Sequence, residues 1–172
     1  MKVFHYTDET DRSLGVAGMA ISLVACDCEK MLAEVSVEEG AEPIRLSQEF
    51  FFSGNPRQSA KIAWNEMLRQ YQVATGMLLA NVLCRSRVSH KECDSELMQA
   101  IHELVSDLGH DECELDDDEI NRLYSENLSY YTRLFSHRGV LTVASDFATV
   151  LRLRRTMSAG DVLEQLQRLN HI

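Results

Sequence analysis

The chain is short of the residues that break or staple a fold. Proline occurs twice and glycine eight times in 172 residues. No Pro/Gly-rich linker or low-complexity tract marks a boundary, so one domain over 1–172 is expected. A chain of this length can bury roughly 70% of the surface it exposes when unfolded. Cysteine comes to five, an odd number without regular spacing, which is no disulfide framework and fits a reducing cytoplasm. Long apolar runs are missing too. The uncharged apolar run Val73–Cys84 has 12 residues against about 20 needed to cross a bilayer, so no membrane span is expected. Positive charge is the minority, with 17 Lys and Arg against 27 Asp and Glu and a net charge of −10. That excess of acid opposes phosphate backbones and makes general nucleic-acid binding unfavourable. Neither a phosphate-cradling glycine loop nor a Gly-x-Ser-x-Gly elbow occurs.

What is present is helical periodicity. Residues 55–88 read as one long helix, apolar on nearly every side between Val73 and Cys84, and a helix with no polar face belongs in a core. Asn55, Pro56 and Gln58 suit its start, while Arg85, Arg87 and Lys91 suit its negative end. A bend near Thr75 and Gly76 is expected in so long an element. Before it, a helix begins near Asp8 or Asp11 and runs to about Ala33, with Gly15, Ala17, Gly18, Ala20 and Ser22 allowing close approach of another backbone. MKVFHYT ahead of it reads as a short strand or an arm.

Gly18, Met19, Ile21, Val24 and Cys26 recur in type at Gly76, Met77, Leu79, Val82 and Cys84, 58 residues on, which suggests that these two helices pair. Leu23–Cys26 also resembles the lipobox of bacterial lipoproteins, in which the cysteine is lipidated. Asp8, Glu9 and Asp11 against Lys2 and Arg12 give the leading region a net negative charge, opposite to what such a signal needs.

Residues 34–54, interrupted by Gly40 and Pro43, allow a short β-hairpin or a structured loop. Phe50, Phe51 and Phe52, just before the cap of the long helix, are placed to staple it onto the bundle. Further helices are read from Asp94 or Ser95 to a stop at Gly109, from Asp116 to a stop at Gly139, across Val140–Leu151, and from a cap at Ser158. The expected fold is therefore all-α, a five- or six-helix bundle around the long central helix.

Four constellations bear on chemistry. The motifs His90–Cys93 and His110–Cys113 hold a ligand set that zinc accepts, but they flank a helix and lie too far apart to share an ion. The run Asp111–Glu119 superficially resembles a calcium loop. Counted from Asp111, however, the sixth residue is Asp116 rather than glycine and the twelfth is Arg122 rather than glutamate. Read as a helix start, Asp116 caps and Asp117, Asp118 and Glu119 meet the positive end of the dipole. Glu92/Glu96 and Glu103/Asp107 are i, i+4 carboxylate pairs of the kind that bundle enzymes turn inward, yet Leu97, Ile101, Leu104 and Leu108 claim the inner face. Seryl and histidyl residues lack a nucleophile context.

With the catalytic patterns incomplete, the expected role is a cytoplasmic interaction or regulatory protein, self-association included, with no cofactor. Residues 92–126 carry 13 acids against one base. Asp111, Glu112, Glu114, Asp116, Asp117, Asp118 and Glu119 are the surface expected to engage a basic partner. Two alternatives stand beside this one. The first is a small helical enzyme holding a divalent cation through acidic side chains; the second is a DNA-associated regulator working through Arg152, Arg154, Arg155 and Arg168.

Overall fold

A computed structural model describes residues 4–47 and 60–171. Phe4–Tyr6 is an irregular arm. The elements that follow are α1 (Glu9–Ala25), a 3-10 turn (Glu29–Met31), β1 (Leu32–Ser36), β2 (Ile44–Leu46), α2 (Ala60–Val88), α3 (Ser95–Cys113), α4 (Asp117–Leu134), α5 (Arg138–Arg154), β3 (Thr156–Ser158), α6 (Ala159–Leu166) and a last 3-10 turn (Gln167–His171). Among the described residues the fold is a bundle of six helices carrying a small sheet. Among the described residues no helix is long and apolar enough to cross a membrane. Asn55, Pro56, Gln58 and the three phenylalanines at 50–52 lie outside the described residues.

The all-round apolar stretch of α2 sits where such a stretch must. Met77, Leu78, Leu79, Ala80, Val82, Leu83 and Cys84 are all buried, enclosed chiefly by α1, α3 and α4. Helix α1 lies closest. A Cβ on Gly18 would stand 2.6 Å from the Cβ of Cys84 and 3.0 Å from the carbonyl carbon of Ala80, so the two backbones touch where glycine leaves room. The expected α1–α2 pairing is present, but the two copies of the recurring motif are not equivalent. Gly76 faces Tyr131 of α4 instead, whose Cζ would be 2.8 Å from an added Cβ. Residues Ser13–Leu23 of α1 are buried without interruption, so cleavage before Cys26 would remove the principal partner of α2.

Helix ends differ most from the sequence reading. Helix α1 ends at Ala25 rather than near Ala33, because Asp27 takes a left-handed conformation (φ 52°). The amide of Cys28 then reaches back to Leu23 O at 2.8 Å and that of Asp27 to Val24 O at 3.2 Å, a Schellman closure with aspartate where glycine is usual. Helix α2 closes the same way, with His90 at φ 53° and Lys91 N to Ser86 O at 2.8 Å.

Helix α3 passes through Gly109 and stops at Cys113, with Glu114 left-handed (φ 52°). Gly109 is no stop; a Cβ there would come 2.8 Å from Ile120 Cγ1. Gly139 is no stop either, since α4 ends at Leu134 on the buried Phe135, and His137 precedes α5. A non-glycine residue in this conformation costs about 1–2 kcal/mol. His90→Gly is therefore expected to raise stability by about 0.5–1 kcal/mol after the extra freedom of the unfolded glycine is subtracted, measured as a shift of the urea midpoint at unchanged slope.

Residues 34–54 do supply a hairpin. Strand β1 pairs antiparallel with β2 through Val35 and Ile44, and Gly40 (φ 83°) lies in the connection. The third strand, β3, flanks β1 on the other side, with Met157 opposite Val35. Three residues between two helices gave no periodicity to read. Val35 and Met157 point into the core, and Ser36 and Thr156 join by a 3.1 Å hydroxyl bond.

Candidate acidic interface and adjoining cleft

Helix α3 carries the site. Ile101, Val105, Gly109 and Cys113, four residues apart, form its buried edge. The face turned away holds Glu96, Glu103, Asp107 and Asp111, all exposed. Spacings of seven, four and four keep these carboxylates in one file about 22 Å long. The i, i+4 acids point outward as their apolar neighbours require, and the file they form with Asp111 was present in their spacing but not assembled from it. Asp94 caps the helix, accepting from Glu96 N at 3.0 Å and Leu97 N at 3.3 Å.

The run beyond α3 divides into helix end, turn and helix start. Asp111, Glu112, Glu114, Asp116, Asp117, Asp118 and Glu119 are all exposed, while Cys113 and Leu115 between them are buried. Asp116 and Glu119 form the expected reciprocal cap, 2.8 Å and 3.2 Å, and His110 meets Asp117 at 3.1 Å. Among the described residues, Glu92, Glu96, Glu103, Asp107, Asp111, Glu112, Glu114 and Asp118 form no ion pair, and Glu103 has a hydrogen bond from Gln99 at 3.0 Å.

Arginines of the basic cluster are placed otherwise. Arg154 pairs with Asp161 at 3.3 Å, Arg155 with Glu9, and Arg168 with Asp146 at 3.0 Å, while Arg152 donates to Thr10 Oγ1 at 2.7 Å. Their charge is spent in tying α5 to α1, to α6 and to the C-terminal turn. His90–Cys93 lies before α3 and His110–Cys113 in its last turn, so the helix from Ser95 to Gly109 separates them, about 22 Å. Among the described residues no three His, Cys, Asp or Glu side chains gather as a metal would require.

At the N-terminal end of α3 the file meets a cleft of about 730 Å³. Val82, Leu97 and Ala100 give it apolar walls, with Lys91, Glu92 and Glu96 around it. His5, Asp11 and Arg85 also line it, and they belong to a polar cluster joining residues more than 70 positions apart, which no local pattern announces. Arg85 grips Asp11 with both ends of its guanidinium, Nε to Oδ1 and Nη2 to Oδ2, each 2.6 Å. It also donates to His5 O at 3.0 Å and lies 4.9 Å from the centre of the Tyr6 ring. Asn81 donates to the Tyr6 hydroxyl at 3.0 Å.

Burial alone would push the Asp11 carboxyl up. The bonds from Arg85 and from the Thr7 amide, with the guanidinium charge, outweigh it and leave the group below the usual range. The buried thiol of Cys84, by contrast, is pushed up to about 12 by desolvation, against a weaker opposite pull from the Gly18 backbone, so it is chemically quiet. Compared with family models, with curated proteins and with solved structures, the chain matches none of them.

Proposed function

We propose that this protein is a non-catalytic interaction module that docks a basic, amphipathic segment of a partner protein along α3. An apolar side chain of that segment enters the cleft beside Leu97, and its cations follow the carboxylates toward Asp111–Glu119. The observation that carries this reading is the file Glu96, Glu103, Asp107, Asp111, exposed and, among the described residues, without an ion-pair partner. In the free protein, like charges at i, i+4 repel by about 0.2–0.5 kcal/mol per pair. A basic partner relieves that repulsion, and opposite fields speed encounter. The apolar walls of the cleft add the desolvated contact that charge alone does not give. The DNA-regulator alternative draws less support, because the arginines it needs already have intramolecular partners.

Neutralising the file separates binding from folding. The double variant Glu103→Gln/Asp107→Asn is expected to melt about 2 °C higher than the wild type, since repulsion is lost. It should bind a lysine-rich amphipathic peptide about tenfold more weakly in a fluorescence-anisotropy titration at low salt. Equal affinity of variant and wild type, or affinity indifferent to added salt, would remove the acidic face from the mechanism.

A further inference from the structure

Cys26 and Cys28 are two apart in sequence, a spacing that on a helix would point them to different sides. The helix has ended before them. With Asp27 left-handed between the two, both cysteines line one hollow of about 470 Å³ at the junction of α1, α2 and α4, together with Arg69, Gln72, Glu126 and Tyr130. Cys28 is 2% exposed and Cys26 open to solvent. Each sulfur has its own polar partner. Arg69 Nη2 lies 3.4 Å from Cys28 Sγ and also holds Asp27 O at 3.4 Å. The buried Tyr131 hydroxyl lies 3.0 Å from Cys26 Sγ. The Cys28 thiol in turn donates to Cys26 O at 3.2 Å.

We propose that Cys26 and Cys28 form a two-thiolate site for a soft monovalent cation, Cu(I). Thiolate sulfur selects Cu(I) over harder ions. Zinc needs three or four protein ligands, and among the described residues no third ligating side chain joins the pair. Two-coordinate Cu(I) needs none. On binding, two S–H bonds break, two Cu–S bonds form and two protons leave to solvent, with no change of oxidation state. The resulting unit carries one negative charge, and the guanidinium of Arg69 beside Cys28 supplies the opposite one. The Tyr131 hydroxyl donates to the other sulfur, as outer-shell groups do at metal sites.

The test is an anaerobic titration of the reduced full chain with Cu(I) against a chromophoric chelator. One equivalent is expected to be withheld from the chelator, with two sulfur neighbours by X-ray absorption. Cys26→Ser and Cys28→Ser should each abolish uptake, while the triple variant Cys84→Ser/Cys93→Ser/Cys113→Ser should keep it. Arg69→Gln should weaken uptake about tenfold and Arg69→Lys less, which a merely structural arginine would not do at unchanged thermal midpoint. Uptake that survives in Cys26→Ser/Cys28→Ser, three or more sulfur neighbours, or equal retention of Zn(II) would overturn the assignment. So would a wild-type chain that withholds no Cu(I).

Discussion

Gly18→Val is expected to lower the stability of the fold by at least about 3 kcal/mol, near the upper end of what overpacking costs. The new Cβ would enter a space bounded by the Cys84 Cβ at 2.6 Å and the Ala80 carbonyl carbon at 3.0 Å, with the carbonyl oxygen nearer still. Two of those three atoms belong to backbone, so no rotamer change opens the space. Helix α2 cannot simply retreat, because Tyr131 of α4 presses on Gly76, and close-packed interiors transmit such displacements. Urea denaturation measures the loss, with Gly160→Ala as the control. A Cβ there meets Ser158 Oγ at 3.9 Å, so its effect should stay within about 0.5 kcal/mol. A cost below about 1 kcal/mol for Gly18→Val would mean that α1 and α2 do not approach as closely as described.

The same glycines explain what could and could not be read from the chain. The apolar spine, the Asp116/Glu119 cap and the Ser158 cap were legible because each depends on a short, local pattern of side-chain types. Helix ends were not, because glycine is used here mainly for close approach inside helices, at Gly15, Gly18, Gly76 and Gly109. Asp27, His90, Glu114 and Arg155 take the positive φ values at helix ends instead. A rule that reads glycine as a stop thus misplaces the ends of α3 and α4, and the misjudged end of α1 conceals that Cys26 and Cys28 share a hollow. At the candidate interface the exposed acids were legible one pair at a time. Their alignment with the cleft depends on where α1 and α2 meet α3, and residues 74 positions apart in sequence settle that.

That meeting point yields the second large effect. Arg85→Met is expected to destabilise the protein by about 2–4 kcal/mol at neutral pH. Removing one member of a buried ion pair costs about 3–5 kcal/mol because the other charge is left uncompensated. Some of that is trimmed here by residual solvent screening, since the two side chains remain 13% and 15% exposed. The pH dependence follows from Asp11. Burial alone raises its pKa, but Arg85 and the Thr7 amide more than reverse this, so the folded value lies below the unfolded one. Such a group stabilises the fold above the unfolded carboxylate value, near 3.9, and loses that contribution as pH falls through the lower folded value. The gap between wild type and Arg85→Met, followed by urea midpoints, should be full at pH 6–7 and narrow below about pH 4. In Asp11→Asn/Arg85→Met the charge is gone from both sides, so the loss should fall well short of the sum of the two single losses. Strict additivity, or a gap that persists unchanged into acid, would show that Arg85 acts through its packing on Tyr6 rather than through its bond to Asp11.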